Sequence, residues 1–424
     1  MLLCALALGM SCSGLASAGK PVTIRFISLA WQTQAIEAVK AVVAEWNAAN
    51  PSIQVQYVQM DWGSIHDYMI TSFEAKDVPD IFHYESIPII DFGKRGYLTD
   101  LATLISDDLR TDVMPGAWET VTGSNGAIYG IPFLWESLIV LYNKDLFAEA
   151  GVKPPTIDNP WTWEEMRQAA RLLTKDRHGD GQVDQFGVAF GLKSPVNRVF
   201  NLSMGFGGYY FYDQNGKPVI GVGDAEKELL RILLDMMYVE KTASLDGVGL
   251  SGPELFPGFF AGKYAMLPGI GVWARQQIVE SAPAGFKWGV LPPLKAKTQA
   301  QGSTTQTLSI PSAAKHKKEA MQFLEFLANR ENMAKLALGD WLFPTRASSL
   351  DLPAFRKEEG GWNIATESAR HLTLAPWQKV MGFQEFKSKV ATPLFQQLFA
   401  NRISLDEFAR RMETEGNRVL QRYQ

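Results

Sequence analysis

With 424 residues, 46% of them hydrophobic and 20% charged, the chain has ordinary globular composition and exceeds what one hydrophobic core supports, so two lobes are expected. A formal net charge of −4 leaves no Lys/Arg surplus for a phosphate backbone and argues against a nucleic-acid partner. Both cysteines, Cys4 and Cys12, lie in the apolar N-terminal segment, so a processed chain is left without disulfides, thiol catalysis or Cys-ligated metal.

Residues 1–18 carry no charge, are apolar through Met10 and end in Ala16-Ser17-Ala18, a small-residue cleavage pattern. Export with cleavage near Ala18 is therefore expected. The apolar run is shorter than the ~20 residues a bilayer-spanning helix needs. Lipid attachment at Cys12 competes, but Gly9-Met10-Ser11 lacks the leucine usual at such sites, which favours a free, soluble periplasmic protein.

Val22, Ile24 and Phe26 alternate as a strand. Ile36, Val39, Val42, Val43 and Trp46 recur at helical spacing over about 34–48, and Asn50-Pro51 ends that helix. Ile53, Val55 and Tyr57 alternate again, so the first 40 residues after the signal form a βαβ unit and a parallel sheet follows. PDIFHY (79–84) and YGIPFL (129–134) read as further strands. The run IPFLWESLIVLYNKDLF (131–147) reads as one buried strand interrupted by Trp135 and Glu136.

A second α/β region runs over about 134–291. Thr162 with Glu165 forms a capping box ahead of Met166, Ala169, Ala170 and Leu173, and Asp224 caps a helix over about 225–239. A polar, Pro-bounded connector (291–307) leads to a short strand, a helix over about 315–327 and a break at Phe343-Pro344. Ser404 and Glu407 cap a final amphipathic helix.

The sequence contains no G-x-S-x-G, H-E-x-x-H or P-loop, and the five histidines (66, 83, 178, 316, 371) show no ligand spacing. Gly247-x-Gly249-x-x-Gly252 follows no apolar strand and meets Pro253 where a dinucleotide-binding helix would open, so it reads as a loop. Asp176, Asp180 and Asp184 partly match a calcium loop. His178 at its third position and Gly187 in place of the closing Glu favour a polar turn. No cofactor is expected. Paired carboxylates for sugar hydrolysis stay open, since 45 acidic residues allow many pairs and none stands out.

The informative pattern is where the 12 tryptophans fall. Trp31 and Trp62 follow the first two strands, Tyr84-Glu85 follows PDIFH, Trp135-Glu136 follows YGIPFL, Trp273 lies in LPGIGVWA and Trp341 in LGDWLFP. In α/β sheets the carboxyl ends of strands border the ligand crevice. Aromatic faces with acids beside them suit the C–H faces and hydroxyls of a sugar. For each ring the competing reading is packing at a core edge, and Trp46, Trp161 and Trp163 are assigned to packing.

The segments PDIFHYESIPIIDFGKRGYLTDL, YGIPFLWESLIVLYNKDLFAEAGV, PWTWEEMRQAARLLTKD, FFAGKYAMLPGIGVW and SIPSAAKHKKEAMQFLEFL, followed by FPTR, together resemble extracellular solute-binding family 1. Its members are substrate-binding subunits of carbohydrate ABC importers, the maltose and glycerol-3-phosphate binders among them. The resemblance implies an α/β, type II periplasmic-binding-protein fold. One lobe would comprise 19–132 and 305–343, the other 133–304 and 344–424, joined by a multi-segment hinge that closes on ligand. It further implies a mono- or oligosaccharide ligand, inner-membrane permease subunits as partners and a monomer. By position it assigns ligand contacts to Trp31, Asp61, Trp62, Tyr84, Glu85, Trp135, Glu136, Gly207-Gly208, Gly271, Trp273, Trp341 and Arg346. The alternatives are a secreted carbohydrate-active enzyme, and a binder of polyols or glycerol-3-phosphate-type ligands. Phosphorylated ligands want clustered Arg/Lys, and only Arg346 is expected near the cleft.

Overall fold

The computed structural model describes residues 20–424; the expected signal segment, the expected cleavage near Ala18 and both cysteines lie outside the described residues. The N-terminal pattern folds as its periodicity dictates. Strands Val22–Ser28 and Ile53–Gln59 pair in parallel, Val22 against Ile53, across the helix Thr33–Ala49. That helix buries Ala35, Val39, Val42, Val43 and Trp46. Asn50 ends it, both its backbone and side-chain N–H donating to Trp46 O at 2.9 Å. The Trp46 indole donates to Ile53 O at 3.1 Å, tying helix to strand.

Six strands form the first sheet, in the order Phe343–Pro344, Ile131–Trp135, Thr305–Ser309, Ile81–Glu85, Val22–Ser28, Ile53–Gln59. Thr305–Ser309 is antiparallel to both of its neighbours. The second sheet has four strands, Trp288–Leu291, Leu138–Asn143, Tyr264–Gly271 and Phe186–Val188. It is mixed: Leu138–Asn143 runs antiparallel to the strands on both sides, while Phe186–Val188 pairs in parallel with Tyr264–Gly271. The capping box at Thr162 opens the helix Trp163–Leu173, with Glu165 N donating to Thr162 Oγ1 at 3.2 Å and Thr162 N to Glu165 Oε2 at 2.7 Å. Asp224 is the first helical residue rather than the cap. The Glu226 carboxylate takes the cap's place by accepting from Gly223 N at 2.8 Å.

The run 131–147 is not one strand. Ile131–Trp135 belongs to the first sheet and Leu138–Asn143 to the second, so Glu136 and Ser137 alone carry the chain between lobes. The chain crosses back near Thr304, between Gln301–Ser303, paired with Leu372–Leu374, and Thr305–Ser309. The last crossing comes later than the Phe343-Pro344 break. Pro344 pairs with Leu134, and Arg346 bridges to Val113, holding the chain on the first lobe.

Trp135 does not face the cleft. It is buried between Thr305 and Phe343, and its ring tip lies against Gly116 of the helix Pro115–Val121. Glu136, one residue on, turns the other way, as alternation along a strand requires. Trp135→Ala is expected to lower unfolding free energy by about 3–5 kcal/mol in urea titrations; a loss under about 1 kcal/mol would show that this indole is not core.

Candidate functional site

Strand ends from both sheets meet around a cavity of about 260 Å³. The first lobe contributes Trp31, Trp62 and Glu85, each just past or at the end of a parallel strand. The crossing segments contribute Glu136 and Thr304 to Gln306. Trp273 follows the central strand of the second sheet. Asp340 closes the helix Arg330–Asp340, and Leu342 follows it.

Trp31 and Trp273 meet edge to face from opposite lobes, their centroids 5.6 Å apart at 74°. Trp31 is 44% exposed, unusual for so large a ring and consistent with an open ligand face. Trp62 rests edge-on against His83 at 5.3 Å. His83 Nδ1 accepts from Leu29 N at 3.2 Å, and burial pulls its pKa down to about 3. The imidazole is therefore a neutral shelf under the indole.

The polar side of the cavity is acidic. Glu136 accepts from Trp273 Nε1 at 2.8 Å. A Cβ at Gly271 would overlap both partners of that bond, so this position has to be glycine for them to meet. Burial pushes Glu136 up to about 7; the Trp273 bond opposes this, and the Asp340 and Glu85 charges add to it. Asp340 is 4% exposed and accepts from Gln32 Nε2 at 3.1 Å and from Gln306 Nε2 at 3.2 Å. Burial still pushes it up to about 6. Glu85 accepts from Gln384 Nε2 of the second lobe at 3.0 Å, bridging the cleft mouth.

Several residues assigned by position are elsewhere. Asp61 is exposed and accepts from Gly63 N, Ser64 N and Ser64 Oγ, at 2.9, 3.0 and 2.6 Å, so it shapes the turn into the helix Ile65–Ala75. Tyr84 is buried behind Trp62, 6.3 Å from it, and burial raises its phenol. Gly208 lies against Ala225 and Glu226 at the start of the helix Asp224–Leu234, and Gly207 beside it takes a φ of 83°. Trp341 packs at a tilt against Trp362, 5.3 Å between centroids, and donates to Gln34 at 3.3 Å, beside the cavity rather than on its wall. Arg346 is buried in the first lobe, where Asp108, Asp112 (2.7 Å) and Ala328 O (3.0 Å) hold it. With Arg346 bound there, no Lys or Arg among the described residues lines the cavity.

Asp340, Gln306 and Thr304 were not read from the sequence. Asp340 left one local signal: a carboxylate at a helix C-terminus opposes the helix dipole, and such violations gather at sites. In the 176–184 loop, Asp176 accepts from the backbone of Gly179 and Gly181, Asp180 from Gln182 N, and Asp184 from Arg177 N. These acids serve their own turn, and among the described residues no His/Cys/Asp/Glu group has metal-holding geometry. No helix among the described residues is long and apolar enough to cross a membrane.

The chain belongs to the bacterial extracellular solute-binding protein family, whose model matches residues 30–334. It is 41% identical over 397 residues to an uncharacterized lipoprotein in the oleD 5' region of Streptomyces antibioticus, covering 93% of this chain and 86% of that one. It is 26% identical over 304 residues to the arabinooligosaccharide-binding protein of Bacillus subtilis, covering 68% and 66%. In fold it is similar to the sugar-binding protein MalE from Xanthomonas citri, at 20% identity and a TM-score of 0.80 over 95% of this chain and 98% of that one. It is also similar to the GacH receptor of Streptomyces glaucescens, solved unliganded and with acarbose, at 21% identity and 0.78 over 95% and 100%. The architecture is thus of the maltose-binding, periplasmic-binding-protein type.

Burying Glu136 and Asp340 has a pH signature. Both bind protons more tightly folded than unfolded, so stability falls as pH rises from the ordinary carboxylate range through about 6 and 7. Glu136→Gln is expected to raise unfolding free energy at pH 8 by about 1–3 kcal/mol and to converge with the parent near pH 5. Denaturant titrations at both pH values check this; a Gln variant less stable at pH 8 would contradict it.

Proposed function

We propose that the protein is the carbohydrate-binding subunit of an ABC importer, exported to the periplasm and working without chemistry of its own. One observation carries the reading: indoles from two lobes converge on one cavity whose remaining wall is hydrogen-bonding. Pyranose C–H faces lie on such rings while hydroxyls reach the acids and amides. The family match and the binding proteins it resembles support the same reading.

Closure follows from where the groups sit. Trp31 and Trp62 are on one lobe and Trp273 on the other, so a ligand touches both sets only when the lobes are together. Its differential affinity for that state drives the shift. A monomer presenting its closed face to membrane permease subunits completes the proposal. Cavity volume points to one or two sugar units on these walls, and the groove beyond Glu85–Gln384, about 430 Å³, offers room for a longer chain.

The raised proton affinity of Glu136 beside other acids is also what a glycosidase acid–base pair shows, so hydrolysis is the second reading. A thermal-shift screen over neutral mono- and oligosaccharides, polyols and sugar phosphates tests the first. A sugar should raise the midpoint and be recovered intact, and Trp31→Ala should weaken it about 10- to 100-fold with the unliganded midpoint unchanged. Release of new reducing ends would favour the enzyme, and unchanged affinity would remove Trp31 from the site.

A further inference from the structure

Resting on that carbohydrate reading, we infer that the preferred ligand carries a protonated amine: an amino sugar, or an oligosaccharide containing one. The cavity wall holds three carboxylates, Glu85, Glu136 and Asp340, and three indoles, with no Lys, Arg or His among its lining residues. The half-buried Arg198 guanidinium acts on Glu136, but it is not among the lining residues and donates to the carbonyl of Gly269.

The donors beside the acids are taken, while among the described residues the indole N–H groups of Trp31 and Trp62 make no hydrogen bond and can serve a ligand. Trp273 Nε1 is committed to Glu136, Gln306 Nε2 to Asp340, and Gln384 Nε2 to Glu85. Thr305 Oγ1 is turned to Thr120 and Thr307. When ionised the carboxylates, each with about four lone-pair positions, keep acceptor capacity in excess, and Glu136 also donates while it holds its proton. A neutral pyranose hydroxyl both donates and accepts, so beside the acids, where the donors are taken, its accepting capacity goes unmatched. An ammonium group donates three hydrogen bonds, accepts none, and brings the one charge that relieves three mutually repelling acids. Indole faces around it add cation–π attraction. The proton that burial keeps on Glu136 near neutral pH is what a bound cation would expel, so binding should release protons.

Matched pairs test this on the full processed protein: glucose with glucosamine, mannose with mannosamine, galactose with galactosamine, cello-oligosaccharides with glucosamine oligomers of equal length, and the N-acetyl form of each. Calorimetry at pH 7 in two buffers of different ionisation enthalpy reads affinity and proton release together. The expected result is an amine form bound about 10- to 100-fold tighter than its neutral and N-acetyl counterparts. That preference should shrink with added NaCl and in Glu136→Gln. If Glu136→Gln fails to fold, the salt dependence and proton release of the parent protein decide alone. A neutral or N-acetyl sugar bound as tightly as its amine overturns the inference and leaves the carbohydrate reading standing. Binding by no member of any pair, nor by the neutral screen, overturns both.

Discussion

The strand Thr305–Ser309 is the constraint on which the rest depends. It arrives after the whole second sheet has been laid down, yet it fills the middle of the first, hydrogen-bonded to Ile81–Glu85 on one side and Ile131–Trp135 on the other. Neither lobe is therefore a contiguous piece of chain. The first sheet cannot be completed until the second lobe's chain has been traversed, an ordering that makes the fold rich in distant contacts and slow to assemble. The same insertion brings Thr304, Thr305 and Gln306 to the cavity, alongside Glu85, Glu136 and Asp340. The crossing segment and part of the cavity wall are one piece of backbone.

A second pinned element flanks it. Arg275 is fully buried without a carboxylate partner, donating to the carbonyls of Val272, Gly360 and Trp341 at 2.8, 3.2 and 3.2 Å. Its guanidinium lies 4.1 Å from the Trp362 ring and 5.3 Å from that of Trp341. Burial lowers it to about 9, a cost offset by carbonyls and indole faces rather than by an anion. The arrangement leaves the Arg275 charge spent on carbonyls and rings rather than on the cavity's carboxylates. Their burial destabilises the empty protein, and a ligand that satisfies them converts that cost into affinity. Stability given up at a binding wall is a common trade.

Much of the architecture was legible in the sequence because periodicity is local. The βαβ unit at 22–59, the capping box at Thr162 and Glu165 and the terminal helix behind Ser404 each follow from spacing within a few residues. The candidate cavity was legible in outline: tryptophans after strand ends led to Trp31, Trp62 and Trp273, and acids beside them to Glu85 and Glu136, all of which line it. Position alone was a poorer guide for Trp135, because a strand alternates and a single residue decides whether a ring faces cleft or core. Arg346 looked free for ligand until Asp108 and Asp112, more than 230 residues earlier, were folded against it. Asp340 stayed hidden because its partners Gln32 and Gln306 are brought in only by the sheet. What escaped the sequence was pairing across long separations, which no local pattern encodes.

The most direct measurement is a crystal structure of the processed protein with the tightest-binding oligosaccharide from solution screening. The expected density places sugar rings on the faces of Trp31, Trp62 and Trp273, with polar groups on Glu136 and Asp340 and both lobes in contact with one ligand. Sugar bound on one lobe only, or outside this cavity altogether, would contradict the assignment of the cleft as the binding site.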